Sequence, residues 1–170
     1  LISRVGVGYD NIDMDYCNNH DIKVTITPEA PVSAVSELTI GLIFSLLRSI
    51  HLSNDDIHHG RWLKYMGEDI FNKTIGIVGY GKIGKSVRKK LKGLGVKDIL
   101  VNENNKKIIK ENKNVFFVSK NEILERSDIL TLHLPLNKFT KNFLSKKEFL
   151  KMKKSSYLIN TSRGPIINEE

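Results

Sequence analysis

The chain of 170 residues has one cysteine, Cys17, so no internal disulfide can form and no paired-cysteine metal site exists. That scarcity predicts a reducing compartment. No apolar run approaches the length needed to cross a bilayer. Internal repeats and low-complexity tracts are also missing, and no signal peptide is visible, although a missing N-terminus would have removed one. An initiator methionine is absent too: the chain opens at Leu1 inside an apolar stretch and stops at Glu170 as a polar turn begins, which predicts a piece of a longer protein, truncated at both ends. The basic runs carry no interleaved aromatic residues and no basic stripe. The net charge of +8 comes from lysines scattered along the chain, which reads as solvated surface and argues against a nucleic-acid partner.

What remains is an ordinary globular composition, 40% hydrophobic and 27% charged, enough for one domain with a sizeable core and pointing to a cytoplasmic protein without a membrane partner. Residues 2–7 read as the end of a buried strand, 13–19 as a short helix and 23–27 as a strand that Pro28 breaks. Residues 32–50 read as one helix. Its apolar positions, among them Leu38, Leu42, Phe44 and Leu46, cover nearly the whole circumference, which predicts burial on every side and therefore a second domain or subunit against it. Residues 53–69 read as irregular or weakly helical.

From Thr74 the pattern alternates strand and helix, the signature of a parallel sheet. Strands are expected at 74–78, 99–101, 115–118, 128–132 and 156–159. The helix over 82–94 sets Ile83, Val87, Leu91 and Leu94 against a lysine-rich face. Ser119 with Glu122 and Ser145 with Glu148 predict capping boxes at two later helix starts. The fold class is α/β, a doubly wound parallel sheet of the Rossmann type.

Gly79-Tyr80-Gly81-Lys82-Ile83-Gly84 fits G-x-G-x-x-G, and it follows a strand and opens an amphipathic helix, the context that gives the spacing meaning. Gly79 permits the tight turn, Gly81 lets the backbone approach a pyrophosphate, and Gly84 lets helix pack against strand. Free N–H groups at the helix start then face the phosphates. Glu103 lies nineteen residues beyond Gly84, where a carboxylate can accept bonds from both adenosine ribose hydroxyls and repel a 2′-phosphate. NAD is thereby favoured over NADP. Asn102 competes for that position, and Lys106 and Lys107 stand near enough to welcome a phosphate.

With the loop in place, Arg4 to Asp13, Ser36-Glu37-Leu38-Thr39, Gly60-Arg61-Trp62, Thr131 to Leu136 and Asn160-Thr161-Ser162-Arg163-Gly164 resemble the D-2-hydroxyacid dehydrogenase family, the group containing D-3-phosphoglycerate dehydrogenase. The resemblance covers essentially the whole chain. It implies that residues 1–30 end a substrate domain and that 31–170 form an NAD-binding domain, incomplete at its C-terminus. By the same resemblance Lys82 and Ile83 meet the pyrophosphate, Leu134 and Pro135 the adenine side, Thr161 and Ser162 the nicotinamide, and Val7 approaches from the other domain. The catalytic arginine of the family falls on Arg163. A guanidinium suits that task, because it can bind the carboxylate of a 2-oxo or 2-hydroxy acid substrate and polarise the neighbouring carbonyl as hydride arrives.

The family's histidine acid–base and its orienting carboxylate lie downstream of the arginine motif, so the 170 residues alone are expected to be inactive. His133 reads as lining the cofactor side. His51, His58 and His59 lack a carboxylate or thiolate at ligand spacing, so no metal is expected, and Trp62 and Tyr65 read as packing or hinge residues. The resemblance also implies a homodimer, with residues 32–50 near the twofold axis. Alternatives to an oxidoreductase are an NAD(H)-sensing, corepressor-like protein on the same scaffold and a free-standing binding module.

Overall fold

In the computed structural model, which describes residues 1–170, two parallel sheets share the strands. The smaller pairs β1 (Ile2–Arg4) with β2 (Val24–Ile26), joined through α1 (Met14–Asn19), whose first turn Asp13 caps by accepting the Tyr16 N–H at 2.8 Å. β1 ends at Arg4, and it is not buried: Leu1, Ile2 and Val5 are exposed, because β2 alone flanks it.

The larger sheet is wholly parallel. It contains β3 (Ile75–Val78), β4 (Ile99–Asn102), β5 (Ile129–Leu132) and β6 (Tyr157–Asn160), in the spatial order β4-β3-β5-β6. β3, β4 and β5 are buried along their whole length, as strands covered by helices on both faces must be. One face packs on α2 (Val32–Leu47) and α4 (Lys82–Gly93) through Ile43, Ile75, Ile77, Val87 and Leu91; the other packs Leu100, Leu130 and Leu132 against Ile123 and Leu124 of α6 (Lys120–Arg126). The chain leaves β3 for β4 on one side and returns to β5 on the other. The carboxyl ends of β3 and β5 therefore flank a topological switch point, where such sheets form their ligand crevice.

Residues 115–118 do not make a fifth strand. They touch the sheet through one bridge, Val101 to Phe117, and Ser119 caps α6 immediately afterwards, leaving no length for a ladder. Between β4 and that bridge runs α5 (Lys106–Glu111), capped by Asn105.

The long helix expected over 32–50 is two helices. α2 ends at Leu47, Ser49 takes φ +50°, and α3 (Ile50–His58) leaves at 70° to α2. The segment expected to be irregular or weakly helical is helical to His58 and irregular after it; Asp56, buried within α3, accepts the Tyr65 hydroxyl and Arg61 Nε (2.7 Å), tying down the following turn. Trp62, at 87% exposure, packs on nothing within this chain. No single helix is long and apolar enough to cross a membrane.

Within this chain α2 is covered along one stripe only. Its buried stripe is Ser36, Thr39, Ile43 and Leu47, with hydroxyls among them because α2 and α4 lie close: Ser86 Oγ donates to Ser36 Oγ at 2.9 Å. Phe44 and Leu46 pack on the chain's own core, whereas Leu38 (56%) and Leu42 (38%), one turn apart, stay exposed.

Of the two capping boxes, Ser145 with Glu148 forms at α7 (Lys146–Phe149), where Glu148 accepts the Ser145 N–H at 3.0 Å. Ser119 does cap α6, accepting the Glu122 N–H at 3.1 Å, but the Glu122 carboxylate turns forward to Arg126 at 2.5 Å, so that box is half made.

Candidate active site

A cleft of about 620 Å³ opens where the carboxyl ends of β3, β5 and β6 face the segment after β1. Nine of the expected site residues line it: Val7, Gly81, Lys82, Ile83, Leu134, Pro135, Thr161, Ser162 and Arg163. Gly79, Gly84 and Glu103 are not among the residues that line it.

The glycine loop has the geometry a dinucleotide needs. Gly79 takes φ +91°, and a Cβ there would meet the His133 carbonyl oxygen at 2.5 Å, so the ends of β3 and β5 can lie this close only around a glycine. A Cβ on Gly84 would stand 2.1 Å from the Gly79 carbonyl oxygen, so α4 can sit this close to β3 only without a side chain. Gly81 is different. A Cβ there meets nothing within 4 Å and would project into open space at the start of α4, the place a pyrophosphate would take. The Lys82 ammonium pairs with Glu29 across the cleft, which leaves the backbone N–H groups of the first turn, not this side chain, facing the opening.

Glu103 follows β4, and its carboxylate holds the loop directly. Oε2 accepts the Tyr80 N–H at 2.8 Å, and Oε1 accepts the N–H groups of Asn104 and Asn105, each at 2.8 Å. A carboxylate offers about four acceptor positions. Three are taken by the chain's own backbone, which leaves about one for a ligand. Asn102 is excluded as the competing residue: it is buried, with Nδ2 donating to the Val118 carbonyl at 2.9 Å.

After β6 the chain turns around Asn160, a residue sequence reasoning passed over. Its Oδ1 accepts Ser162 N at 3.0 Å and Ser162 Oγ at 2.7 Å, while its Nδ2 donates to the Arg163 carbonyl at 2.9 Å. Thr161 Oγ1 lies 3.1 Å from Thr39 Oγ1, which ties this turn to α2. The turn delivers Arg163 to the cleft. There Nε donates to Asp10 Oδ1 at 2.9 Å and Nη1 to the Ser162 carbonyl at 2.9 Å. Asp10, Gly8 and Tyr9, from the segment after β1, were not singled out as site residues; only their place in the Arg4 to Asp13 motif pointed there.

His133 caps β5 with Nε2 3.0 Å from Thr131 Oγ1. Burial pushes its pKa down to about 4, so the ring is neutral at neutral pH. A histidine freed by unfolding titrates near 6.5, so between pH 6.5 and 4 the unfolded chain takes up the proton and stability falls with acidification. Glu148 acts lower. Burial would raise its carboxyl, but the Ser145 hydroxyl and the Lys120 ammonium outweigh that and hold it at about 2, so its contribution is full above 4.5 and drains as pH falls toward 2. Thermal midpoints against pH check both: His133→Gln should flatten the upper window and Glu148→Gln only the lower. A wild-type midpoint that does not fall between pH 6.5 and 4 would refute the first.

A crevice at a switch point, an open glycine at a helix start and an arginine at a strand end lie together in one cleft. The model of the D-isomer specific 2-hydroxyacid dehydrogenase, NAD binding domain, matches residues 40–170. The chain belongs to that family. NAD is the cofactor of this domain, and the open space at Gly81 fits it. Among curated relatives, the glyoxylate reductase of Thermofilum pendens is 37% identical over 177 residues, covering 100% of this chain and 52% of the relative. The D-3-phosphoglycerate dehydrogenase of Bacillus subtilis is 37% identical, over 99% of this chain and 33% of its own length. Among solved structures, D-lactate dehydrogenase from Aquifex aeolicus, complexed with NAD and lactic acid, superposes with a TM-score of 0.84 at 28% identity, covering 99% of this chain and 52% of that one. The chain spans about half the length, or less, of the curated relatives described here.

Proposed function

We propose that the full protein is an NAD-dependent dehydrogenase passing hydride between the nicotinamide C4 and C2 of a small 2-oxo or D-2-hydroxy acid. The observation that carries this reading is Arg163 at the carboxyl end of β6, in one cleft with the glycine loop. When bound, the cofactor gives or accepts the hydride. The chain's own residues bind and orient. Gly79, Gly81 and Gly84 shape the cradle, with the N–H groups of Lys82 and Ile83 toward the pyrophosphate. Glu103 takes a ribose hydroxyl, Leu134 and Pro135 border the adenine side, Thr161 and Ser162 border the nicotinamide, and Val7 approaches the cofactor from the other domain. Arg163 binds the substrate carboxylate and polarises its carbonyl.

The separate β1–β2 sheet supports assigning residues 1–30 to the end of a substrate domain and 31–170 to the cofactor domain. The lone cysteine supports a cytoplasmic, reducing location. The test is NADH consumption by the full-length protein with a panel of 2-oxo acids, glyoxylate, pyruvate and 3-phosphohydroxypyruvate among them. Turnover with one of them is expected. Tight NADH binding without turnover of any would favour an NAD(H) sensor instead.

Cofactor choice rests on the Glu103 charge. The full-length protein should bind NADH more tightly than NADPH, and Glu103→Gln, which removes the charge and keeps one of the two acceptor oxygens, should narrow the gap. Equal wild-type affinities would sink the argument.

Assembly rests on α2. Leu38 and Leu42 form an uncovered apolar pair, and burying one such side chain is worth about 1.5–3 kcal/mol. This supports a homodimer with α2 near the twofold axis. Sedimentation of the full-length protein should show a dimer that Leu38→Glu with Leu42→Glu dissociates. Phe44 is the wrong residue for that test, since charging it would damage the core of its own chain.

A further inference from the structure

Asp10 and Arg163 are 153 positions apart in sequence and meet through one charge-assisted hydrogen bond. The guanidinium is held at two of its three nitrogens, Nε by Asp10 and Nη1 by the Ser162 carbonyl. The third, Nη2, lies against Gly8, 1.5 Å from where a Cβ would stand. A long flexible side chain is thus laid flat on a backbone that has no side chain at that point. An arginine binds a carboxylate through a planar fork, and the fork is useful only when its plane is fixed. We propose that Asp10 is a positioning residue for Arg163, anchoring Nε so that the outer nitrogens are presented to the substrate carboxylate. This rests on reading Arg163 as the substrate-binding group.

The chemistry at Asp10 agrees. The hydrogen bond from Arg163 holds its carboxyl below the ordinary aspartate value, and the charges of Arg163 and Arg4 add to that, so it is an anion at neutral pH. Being an anion at the edge of the cleft, it also opposes the substrate's carboxylate. Geometry and charge can be separated, because asparagine keeps an acceptor oxygen in the same place and drops the charge.

The experiment measures kcat and KM for a 2-oxo acid, and NADH affinity by fluorescence, in the full-length protein and its variants. Asp10→Ala should lower kcat/KM by about 10- to 100-fold, the range a hydrogen bond to a charged group commands, with NADH affinity unchanged. Asp10→Asn should recover most of kcat and lower KM. Gly8→Ala provides a second arm: Gly8 does not have positive φ, so alanine fits the backbone, and its Cβ, 1.5 Å from Arg163 Nη2 and 2.9 Å from Asp10 Oδ1, must displace the guanidinium and crowd the carboxylate that holds it. It should reproduce the Asp10→Ala loss, and the double variant should be no worse than either single one. Asp10→Ala within twofold of wild type overturns the proposal, as does a matching loss of NADH affinity or a fully additive double variant. A wild-type protein that turns over no 2-oxo acid is a separate outcome, which removes the reading of Arg163 and the proposal with it.

Discussion

Arg163→Lys in the full-length protein is expected to lower kcat/KM for a 2-oxo acid by about 10²–10³-fold, the cost of losing one group that stabilises developing negative charge, while NADH binding stays as it was. Lysine retains the positive charge. What it loses is the arrangement: Nε no longer reaches Asp10, Nη1 no longer reaches the Ser162 carbonyl, and no planar fork remains to take both oxygens of a carboxylate. Kinetics with several 2-oxo acids separate the two contributions. If charge alone binds substrate, lysine should raise KM modestly and leave kcat near wild type. If Arg163 also polarises the carbonyl during hydride transfer, kcat should fall with kcat/KM. A loss below tenfold with kcat unchanged would show that charge alone serves the substrate, and the expected role of the planar fork in polarising the carbonyl would fail.

The parts of this site that sequence reasoning found share one property: their signal is local. Strand, glycine loop and amphipathic helix follow one another between Ile75 and Gly93, each with its own periodicity, so type and order could be read directly. The parts it missed depend on tertiary packing. Apolar residues run on past Leu47, and nothing in that pattern marks Ser49 for a positive φ; the bend is set by how α2 and α3 pack. Residues 115–118 have strand composition but stand at a sheet edge with α6 starting at once, so one bridge is all they form. The bond between Asp10 and Arg163 crosses nearly the whole chain, and no spacing rule reaches that far. Glu103 is the intermediate case. Its position after β4 was legible, but not that its carboxylate already serves three backbone N–H groups.

Two glycines of one loop should respond to the same substitution with different changes in stability. At Gly84 the added methyl of alanine would stand 2.1 Å from the Gly79 carbonyl oxygen, which belongs to backbone on the adjoining strand end and cannot swing aside. α4 would have to move off β3, at a cost of the 1–3 kcal/mol typical of overpacking, roughly, or more. The thermal midpoint should fall, and NADH binding should fall because the cradle is displaced. At Gly81 the same methyl meets nothing within 4 Å, and the backbone, at φ −72° and ψ −164°, is one that alanine adopts freely. Gly81→Ala should therefore melt at or slightly above the wild-type temperature, since glycine loses more conformational freedom on folding. NADH affinity should nevertheless fall by about 10- to 100-fold, because the methyl would fill the space where the pyrophosphate must approach the backbone. Calorimetric melting together with fluorescence titration of NADH reads both quantities on the same preparations. A Gly81→Ala protein with wild-type affinity would show that the pyrophosphate does not approach there, and the assignment of the loop as its cradle would fail with it.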